Sequence, residues 1–179
     1  MKKFLQTYAP LLLVAGLIIL LDQLTKSWVR SSLVLGEVWI PWESALPFVK
    51  IVNWYNTGVA FGMLQGMGTL FIVLHIIVAI AIIYFYPRVS PGDWPLKLAL
   101  TLQLGGAVGN LIDRVTLGHV TDFVWIGWFP VFNVADASIS VGVAVLLLGV
   151  WLQDRRQRQQ PSEPLEAPVE PPTNVEGNG

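Results

Sequence analysis

Four long apolar stretches alternate with more polar connections along the chain. They cover residues 8–24, 67–86, 96–112 and 134–152. Each is close to the roughly 20 residues that a helix needs to cross about 30 Å of hydrocarbon. The stretches are continuously apolar and lack the alternation of barrel strands, so they predict helices. The pattern therefore predicts an all-α membrane protein with four transmembrane helices.

The first long connection, residues 25–66, has a different pattern. Segments 37–40 and 48–54 are rich in β-branched and aromatic residues, with prolines nearby, which predicts a small extracytoplasmic β-cradle on the outer membrane surface. Aromatic side chains of both outer connections are expected at the membrane interface. They are Trp39, Trp42, Trp54, Tyr55, Trp125, Trp128 and Phe129. Two roles stay open for these side chains, which are anchoring in the membrane alone and anchoring combined with contact to a substrate.

Basic residues predict the orientation of the chain. Seven Lys/Arg lie on one side of the predicted membrane and four on the other, so both termini are expected to be cytoplasmic, with 25–66 and 113–133 facing outward. The start resembles a signal peptide but lacks a clear small-x-small cleavage site, which predicts a retained first span. The Arg155, Arg156 and Arg158 cluster is expected to fix topology and meet anionic headgroups.

Composition separates the body of the chain from its end. The net charge of −1 combines +3 over residues 1–160 with −4 over 161–179. The latter segment is rich in Pro and Glu, which predicts a disordered acidic cytoplasmic tail after a membrane domain at 1–160. Only 13% of residues are charged, which argues against a water-soluble domain. The absence of Cys excludes thiol nucleophiles and thiolate metal sites, and two His disfavour a His-rich metal cage.

Polar residues within the apolar stretches share helix faces near one end of the predicted bundle. Spacings of three and four place them on single faces. The third stretch contributes Gln103, Gly106, Asn110 and Asp113, the fourth Asn133, Asp136 and Ser140, and the first Asp22 and Lys26. Because neighbouring helices alternate in direction, these groups are expected to converge at the outer side. Gly105 and Gly109 form a GxxxG pair, which predicts close helix packing.

Four carboxylates are candidates for chemistry at this outer end. Asp22 lies one turn from Lys26, and Asp113 precedes Arg114, so structural ion pairing is favoured for both. Asp122 and Asp136 have no adjacent cation in the sequence. Two carboxylates that share a site hold one proton between them, which is the arrangement used in aspartic proteolysis.

Other interpretations of these carboxylates stay open at this point. They could relay protons in a proton-coupled transporter or act as polar contacts in a non-catalytic scaffold. His75, in the middle of the second stretch, is expected to be a helix–helix hydrogen-bond partner. His119, three residues before Asp122, could tune that carboxylate but is expected to be solvated. The basic residues do not suggest nucleic-acid binding.

Five ordered motifs resemble the bacterial lipoprotein signal peptidase family, also called signal peptidase II. The resemblance covers about residues 8–152. The motifs are Asp22-Gln23-Leu24-Thr25-Lys26, Asn56-Thr57-Gly58-Val59-Ala60-Phe61, Gly105-Gly106-Ala107-Val108-Gly109-Asn110-Leu111-Ile112-Asp113-Arg114, Val120-Thr121-Asp122-Phe123 and Phe132-Asn133-Val134-Ala135-Asp136.

The resemblance implies an intramembrane aspartyl endopeptidase without metal or cofactor. Its substrates would be diacylglyceryl-modified prolipoproteins, cut N-terminal to the lipidated cysteine. Asp122 and Asp136 would be the catalytic pair. Substrate-binding or site-supporting positions would be Asn56, Asn110, Arg114, Asn133, Asp22 and Asp113. We expect a monomer in the bacterial inner membrane, in contact with lipids, with residues 1–160 as the catalytic domain and the active site near the outer face.

Overall fold

The computed structural model describes residues 2–41, 48–58 and 63–159. This part of the chain contains the helices α1 (Lys2–Ser32), α2 (Gly68–Phe85), α3 (Trp94–Leu117) and α4 (Val134–Gln159). It also contains the strands β1 (Val38–Trp39), β2 (Val49–Asn56) and β3 (Val120–Ile126), and a 3₁₀ turn that follows α2. The predicted tail, Trp42 and residues 59–61 of the second motif lie outside the described residues.

Within the described residues, three helices are long and apolar enough to cross a membrane. The qualifying segments are Gln6–Ser32, Gly68–Arg88 and Val134–Arg155. The predicted span at 96–112 falls within α3, which has 24 residues but is not among the segments that reach this apolarity. The prediction of four transmembrane helices is therefore supported for three of them, and a crossing by α3 stays a prediction.

Helix α3 packs against each of the other three helices. Pro95 lies in its first turn, where the missing N–H would have no intrahelical partner in any case. The helix ends at Gly118, which has φ of 78° and donates its N–H to the Arg114 carbonyl. Because other helices surround α3, its polar side chains can find protein partners without facing lipid.

The glycines of α3 permit close helix packing on two sides. A Cβ at Gly105 or Gly109 would lie 2.8 Å from side-chain atoms of Ile18 or Asp22, so the predicted GxxxG pair packs against α1. A Cβ at Gly106 would lie only 2.4 Å from the carbonyl oxygen of Ala135 on α4. The GxxxG motif therefore makes the contact of α3 with α1, and Gly106, which lies between its two glycines, makes the contact with α4.

The three strands form an antiparallel sheet in the order β1-β2-β3. Strands β1 and β2 lie where the aromatic and β-branched segments predicted them. The predicted bounds of the cradle need correction, because residues 25–32 continue α1 and the third strand comes from the second outer connection. Strand pairing joins segments that are far apart in sequence. The pattern of apolar and polar residues within one strand therefore does not show which strand pairs with it.

The helical bundle has one apolar and one polar end. A core of Leu11, Ala15, Ile82, Tyr86 and Leu104 fills the first. At the other end, polar side chains are buried between α1, α3, α4 and β3. They are Asp22, Lys26, Asn110, Asp113, Arg114, Thr121, Asp122 and Asn133. Polar side chains of the first, third and fourth stretches thus meet at one end of the bundle, as expected.

Candidate active site

Asp122 and Asp136 line one cavity of about 550 Å³. Asp122 lies on β3, where Trp54 of β2 is its partner across the sheet. Asp136 lies in the first turn of α4. The rest of the wall is mostly apolar and comes from the four elements α2, α3, α4 and β3, from the end of β2 and from the segment before α4. The structure therefore brings together the two carboxylates that have no neighbouring cation in the sequence.

Asparagine side chains hold Asp122 by both of its oxygens. Nδ2 of Asn56 donates to Oδ2 at 2.9 Å, and Nδ2 of Asn133 donates to Oδ1 at 2.7 Å. Oδ1 of Asn56 also accepts the Gly58 N–H at 2.9 Å. Both polar groups of the Asn56 amide are therefore engaged within the protein, which fixes the orientation of the Asp122 carboxyl.

Asp136 is oriented by Asn110 and by the start of its own helix. Nδ2 of Asn110 donates to Asp136 Oδ1 at 2.7 Å. The Asp136 N–H donates to Asn133 Oδ1 at 2.9 Å, and the Asn133 N–H donates to Asp136 Oδ2 at 3.3 Å. These reciprocal bonds form a capping box. The three-residue spacing of Asn133 and Asp136 was a signal for this cap that the sequence interpretation did not use.

The environment of Asp122 favours its protonated form. Burial, followed by the negative charge of Asp136, raises the pKa of Asp122 to about 7. Hydrogen bonds from Asn56 and Asn133 and the positive charge of Lys26 act in the opposite direction. Near neutral pH, Asp122 can therefore hold or release a proton, as acid–base catalysis requires.

A buried ion-pair cluster lies behind the two carboxylates. Lys26 Nζ lies 2.8 Å from Asp22 Oδ2 and 3.3 Å from Asp113 Oδ2, and Arg30 Nη1 lies 3.7 Å from Asp113 Oδ1. The predicted Asp22–Lys26 pair is present, whereas the cations nearest Asp113 are Lys26 and Arg30 rather than the adjacent Arg114. Lys26 and Arg30 were not predicted as site residues, because their contacts with Asp113 on α3 join segments that are distant in sequence.

Asp22 and Asp113 also bind the backbone of the elements that contain the candidate catalytic pair. Asp22 Oδ1 accepts the Ala135 N–H, and Asp113 Oδ2 accepts the Thr121 N–H, both at 2.9 Å. Each contact lies one residue before one of the two cavity carboxylates. Neither Asp22 nor Asp113 lines the cavity. Their geometry therefore suits them to hold the backbone on which Asp122 and Asp136 are mounted.

The side chain of Arg114 lies at the cavity wall. Its Nη2 donates to the Gly58 carbonyl at 2.9 Å, and its guanidinium lies over the Phe71 ring, 5.2 Å from the centroid. Nε and Nη1 are enclosed and have no hydrogen-bond partner within the described part of the chain. A guanidinium donates to carbonyl and carboxylate oxygens, but a ligand reaches these two nitrogens only if the groups that enclose them move.

The two histidines differ from the sequence-based expectations. Nδ1 of His75 contacts the carbonyl of Phe71 on its own helix, and His75 lines the cavity. It makes no hydrogen bond to another helix in the described part of the structure. His119 is half-buried and lies against Tyr55 with ring centroids 3.8 Å apart, rather than being solvated. Among the described residues, no group of three or more His, Asp or Glu is arranged to hold a metal.

Known proteins resemble this chain over most of its length. The family described as Signal peptidase (SPase) II matches residues 14–152. A protein named lipoprotein signal peptidase from Shouchella clausii is 41% identical over 152 residues, covering 82% of this chain and 96% of the relative. Its namesake from Anoxybacillus flavithermus is 37% identical over 154 residues, covering 82% and 88%.

A solved structure also resembles this fold. It is described as a bacterial membrane enzyme studied by the in meso method at 2.3 Å resolution. It is 32% identical to this chain, with a TM-score of 0.74 and coverage of 87% of this chain and 94% of the other. These matches give no support to a proton-coupled transporter. The extent of the family match and the identity to the relatives establish that the chain belongs to the signal peptidase II family, the lipoprotein signal peptidases.

Proposed function

We propose that this chain is an aspartyl endopeptidase that removes signal peptides from diacylglyceryl-modified prolipoproteins. It cuts the peptide bond on the N-terminal side of the lipidated cysteine. The observation that carries this proposal is the position of Asp122 and Asp136. Both carboxyls line one cavity, and side chains of three asparagines donate hydrogen bonds to them. Membership of the signal peptidase II family supports the substrate class.

Hydrolysis would use one proton shared by the two carboxyls. The ionised carboxyl takes a proton from water, whose oxygen attacks the scissile carbonyl carbon, while the protonated carboxyl donates to the carbonyl oxygen. The product of this step is a tetrahedral gem-diol. Proton transfer to the amide nitrogen then breaks the C–N bond, leaving a carboxyl group on the signal peptide and a free amine on the lipidated cysteine. The pKa of Asp122, about 7, supports this sharing at neutral pH.

Polar groups around the cavity would divide between substrate binding and support. Arg114 is the substrate-binding cation, because it lines the cavity and a guanidinium donates hydrogen bonds to carbonyl oxygens. Asn56, Asn110 and Asn133 position the carboxyls, and the engagement of the Asn56 amide on both sides supports positioning over carbonyl binding. Asp22 and Asp113 hold the backbone next to the catalytic pair.

The orientation of the chain is part of the same proposal. Residues 1–160 form a four-span catalytic domain in the bacterial inner membrane, with both termini cytoplasmic. The carboxyl pair lies near the outer face, where the lipid of the substrate would place the scissile bond. The distribution of Lys and Arg supports this orientation. We propose a monomer in contact with membrane lipids, without a cofactor.

Single substitutions of the two carboxyls test the proposed chemistry. Asp122→Asn and Asp136→Asn should each abolish cleavage of a diacylglyceryl-modified prolipoprotein by the purified enzyme. Asp154→Asn provides a matched control, because Asp154 is an exposed carboxyl near the end of α4, and this variant should cleave normally. Thermal unfolding in detergent identifies any variant that fails to fold. Normal cleavage by either folded cavity variant would refute the dyad mechanism.

A further inference from the structure

His75 is a polar residue in an otherwise strongly apolar helix. Helix α2 reads GTLFIVLHIIVAIAIIYF, and the membrane-capable segment that contains it has a mean hydropathy of 2.6. An ionisable side chain within such a helix is costly unless a protein group or a ligand satisfies it. A bond to a neighbouring helix would account for it, but the bond of His75 is to its own helix.

The contact with Phe71 defines the hydrogen-bonding character of the His75 ring. A carbonyl oxygen only accepts, so the contact of Nδ1 with the Phe71 carbonyl requires the proton on Nδ1. In the neutral ring, Nε2 is then an acceptor. Within the described part of the chain, Nε2 has no hydrogen-bond partner, and it is not among the polar atoms that the protein encloses. Because His75 lines the cavity, this acceptor is available there.

The cavity therefore offers an unused acceptor on α2, close to a cation on α3. This cation is Arg114, whose guanidinium lies over the Phe71 ring, one turn before His75. The remaining polar side chains of the wall are already engaged. Asn56 and Asn110 bind the carboxyls, and Ser140 donates to the backbone carbonyl of Asp136 at 2.9 Å.

An extended peptide brings both kinds of backbone group into such a cavity. Each residue other than proline has one N–H and one C=O, and leaving either unpaired in an apolar site costs about 1–3 kcal/mol. Arg114 can satisfy carbonyl oxygens but no N–H. We propose that Nε2 of His75 accepts a hydrogen bond from a backbone N–H of the bound substrate. His75 is then a substrate-binding residue that fixes the register of the peptide, an inference that rests on the proposed peptidase function.

Two substitutions separate this acceptor from the bulk of the side chain. His75→Leu removes the acceptor and suits an apolar helix, whereas His75→Gln keeps an acceptor oxygen. We expect His75→Leu to raise KM about tenfold with little change in kcat, within the range for one unpaired buried N–H. His75→Gln should recover part of this loss. Ile80→Leu, at an exposed site on the same helix, is the control and should match the unsubstituted enzyme.

Substrates with single N-methylated peptide bonds identify the N–H itself. Methylation of one particular substrate N–H should raise KM in the unsubstituted enzyme. In His75→Leu, methylation of that same N–H should raise KM no further. Equal losses in both enzymes at every position would overturn the proposal, as would an unchanged KM in His75→Leu. If His75→Leu does not fold, the same comparison is made with His75→Gln, which should be less sensitive at that position.

The results also distinguish this inference from the proposed function. If the unsubstituted enzyme cleaves lipidated prolipoprotein and His75→Leu has the same KM, only the role of His75 fails. If the unsubstituted enzyme cleaves no lipidated prolipoprotein, the proposed function fails and the assignment of His75 fails with it.

Discussion

Lys26 Nζ lies 2.9 Å from Oδ1 of Asn110. This bond determines which end of the Asn110 amide faces Asp136, because an ammonium group can only donate. With Oδ1 turned towards Lys26, Nδ2 points to Asp136 Oδ1 at 2.7 Å. A fully buried cation on α1 thus orients a carboxyl on α4 through one amide on α3.

Removal of the Lys26 cation should strongly destabilise the fold. Lys26→Met leaves Asp22 without its buried cation and leaves Asp113 with Arg30 alone. Losing one member of a buried ion pair lowers the free energy of unfolding by about 3–5 kcal/mol. We expect a large fall in the thermal unfolding temperature in detergent. The double variant Asp22→Asn/Lys26→Met should recover part of the fall, because it removes the opposite charge as well.

The exposed pair Asp154–Arg158 is the control for this measurement. It has the same i, i+4 spacing as Asp22–Lys26, but its side chains are 51% and 77% exposed. Arg158→Met should therefore change the free energy of unfolding by only about 0–1 kcal/mol. Equal effects of Lys26→Met and Arg158→Met would contradict the importance of the buried cluster.

The pH dependence of cleavage should respond to Asn56. Its hydrogen bond stabilises the ionised form of Asp122 and lowers the pKa of that carboxyl, so Asn56→Ala should raise the pKa further above its usual range. The alkaline limb of the kcat/KM profile should then move to higher pH. Asn53→Ala on the same strand provides a control, since Asn53 donates to the Leu33 carbonyl. A limb that stays in place or moves to lower pH in Asn56→Ala would count against this assignment.

Asp122 should make the protein less stable at high pH. Its pKa is about 7 in the folded chain and near 3.8 without these surroundings, so between these values the folded state binds more protons. Stability should therefore fall as pH rises through this window. Asp122→Asn should remove this contribution, so that its free energy of unfolding falls less between pH 4 and pH 8 than that of the unsubstituted protein, by at most about 4 kcal/mol. If the free energies of unfolding of the two proteins changed in parallel from pH 4 to pH 8, this prediction would be wrong.

Close packing of α3 against α4 makes Gly106 sensitive to substitution. An added Cβ would lie 2.4 Å from the Ala135 carbonyl oxygen and 2.6 Å from Ser138 Oγ, so Gly106→Ala should push α4 away. We expect a loss of about 1–3 kcal/mol and reduced cleavage, because Asp136 moves with α4. Gly16→Ala is the control, since a Cβ there meets nothing within 4 Å. Comparable unfolding temperatures for the two variants would contradict this packing argument.

Local pattern was sufficient to locate the helices and most of the candidate site. Continuous apolar runs predicted the helices α1 to α4, and polar residues at helical spacing predicted one polar end. Asp122 and Asp136 were identifiable because neither has a cation close in sequence. These inferences need only the period of a helix and the cost of charge in lipid.

Contacts between distant segments decided the rest. The sequence by itself determined the four apolar stretches and the two carboxyls without a neighbouring cation. Only the tertiary structure decided that β3 completes the sheet, that Lys26 and Arg30 are the cations nearest Asp113, and that His75 lines the cavity. The physical reason is that strand pairs, buried ion pairs and cavity walls join groups on different elements, whereas periodicity and spacing describe one element at a time.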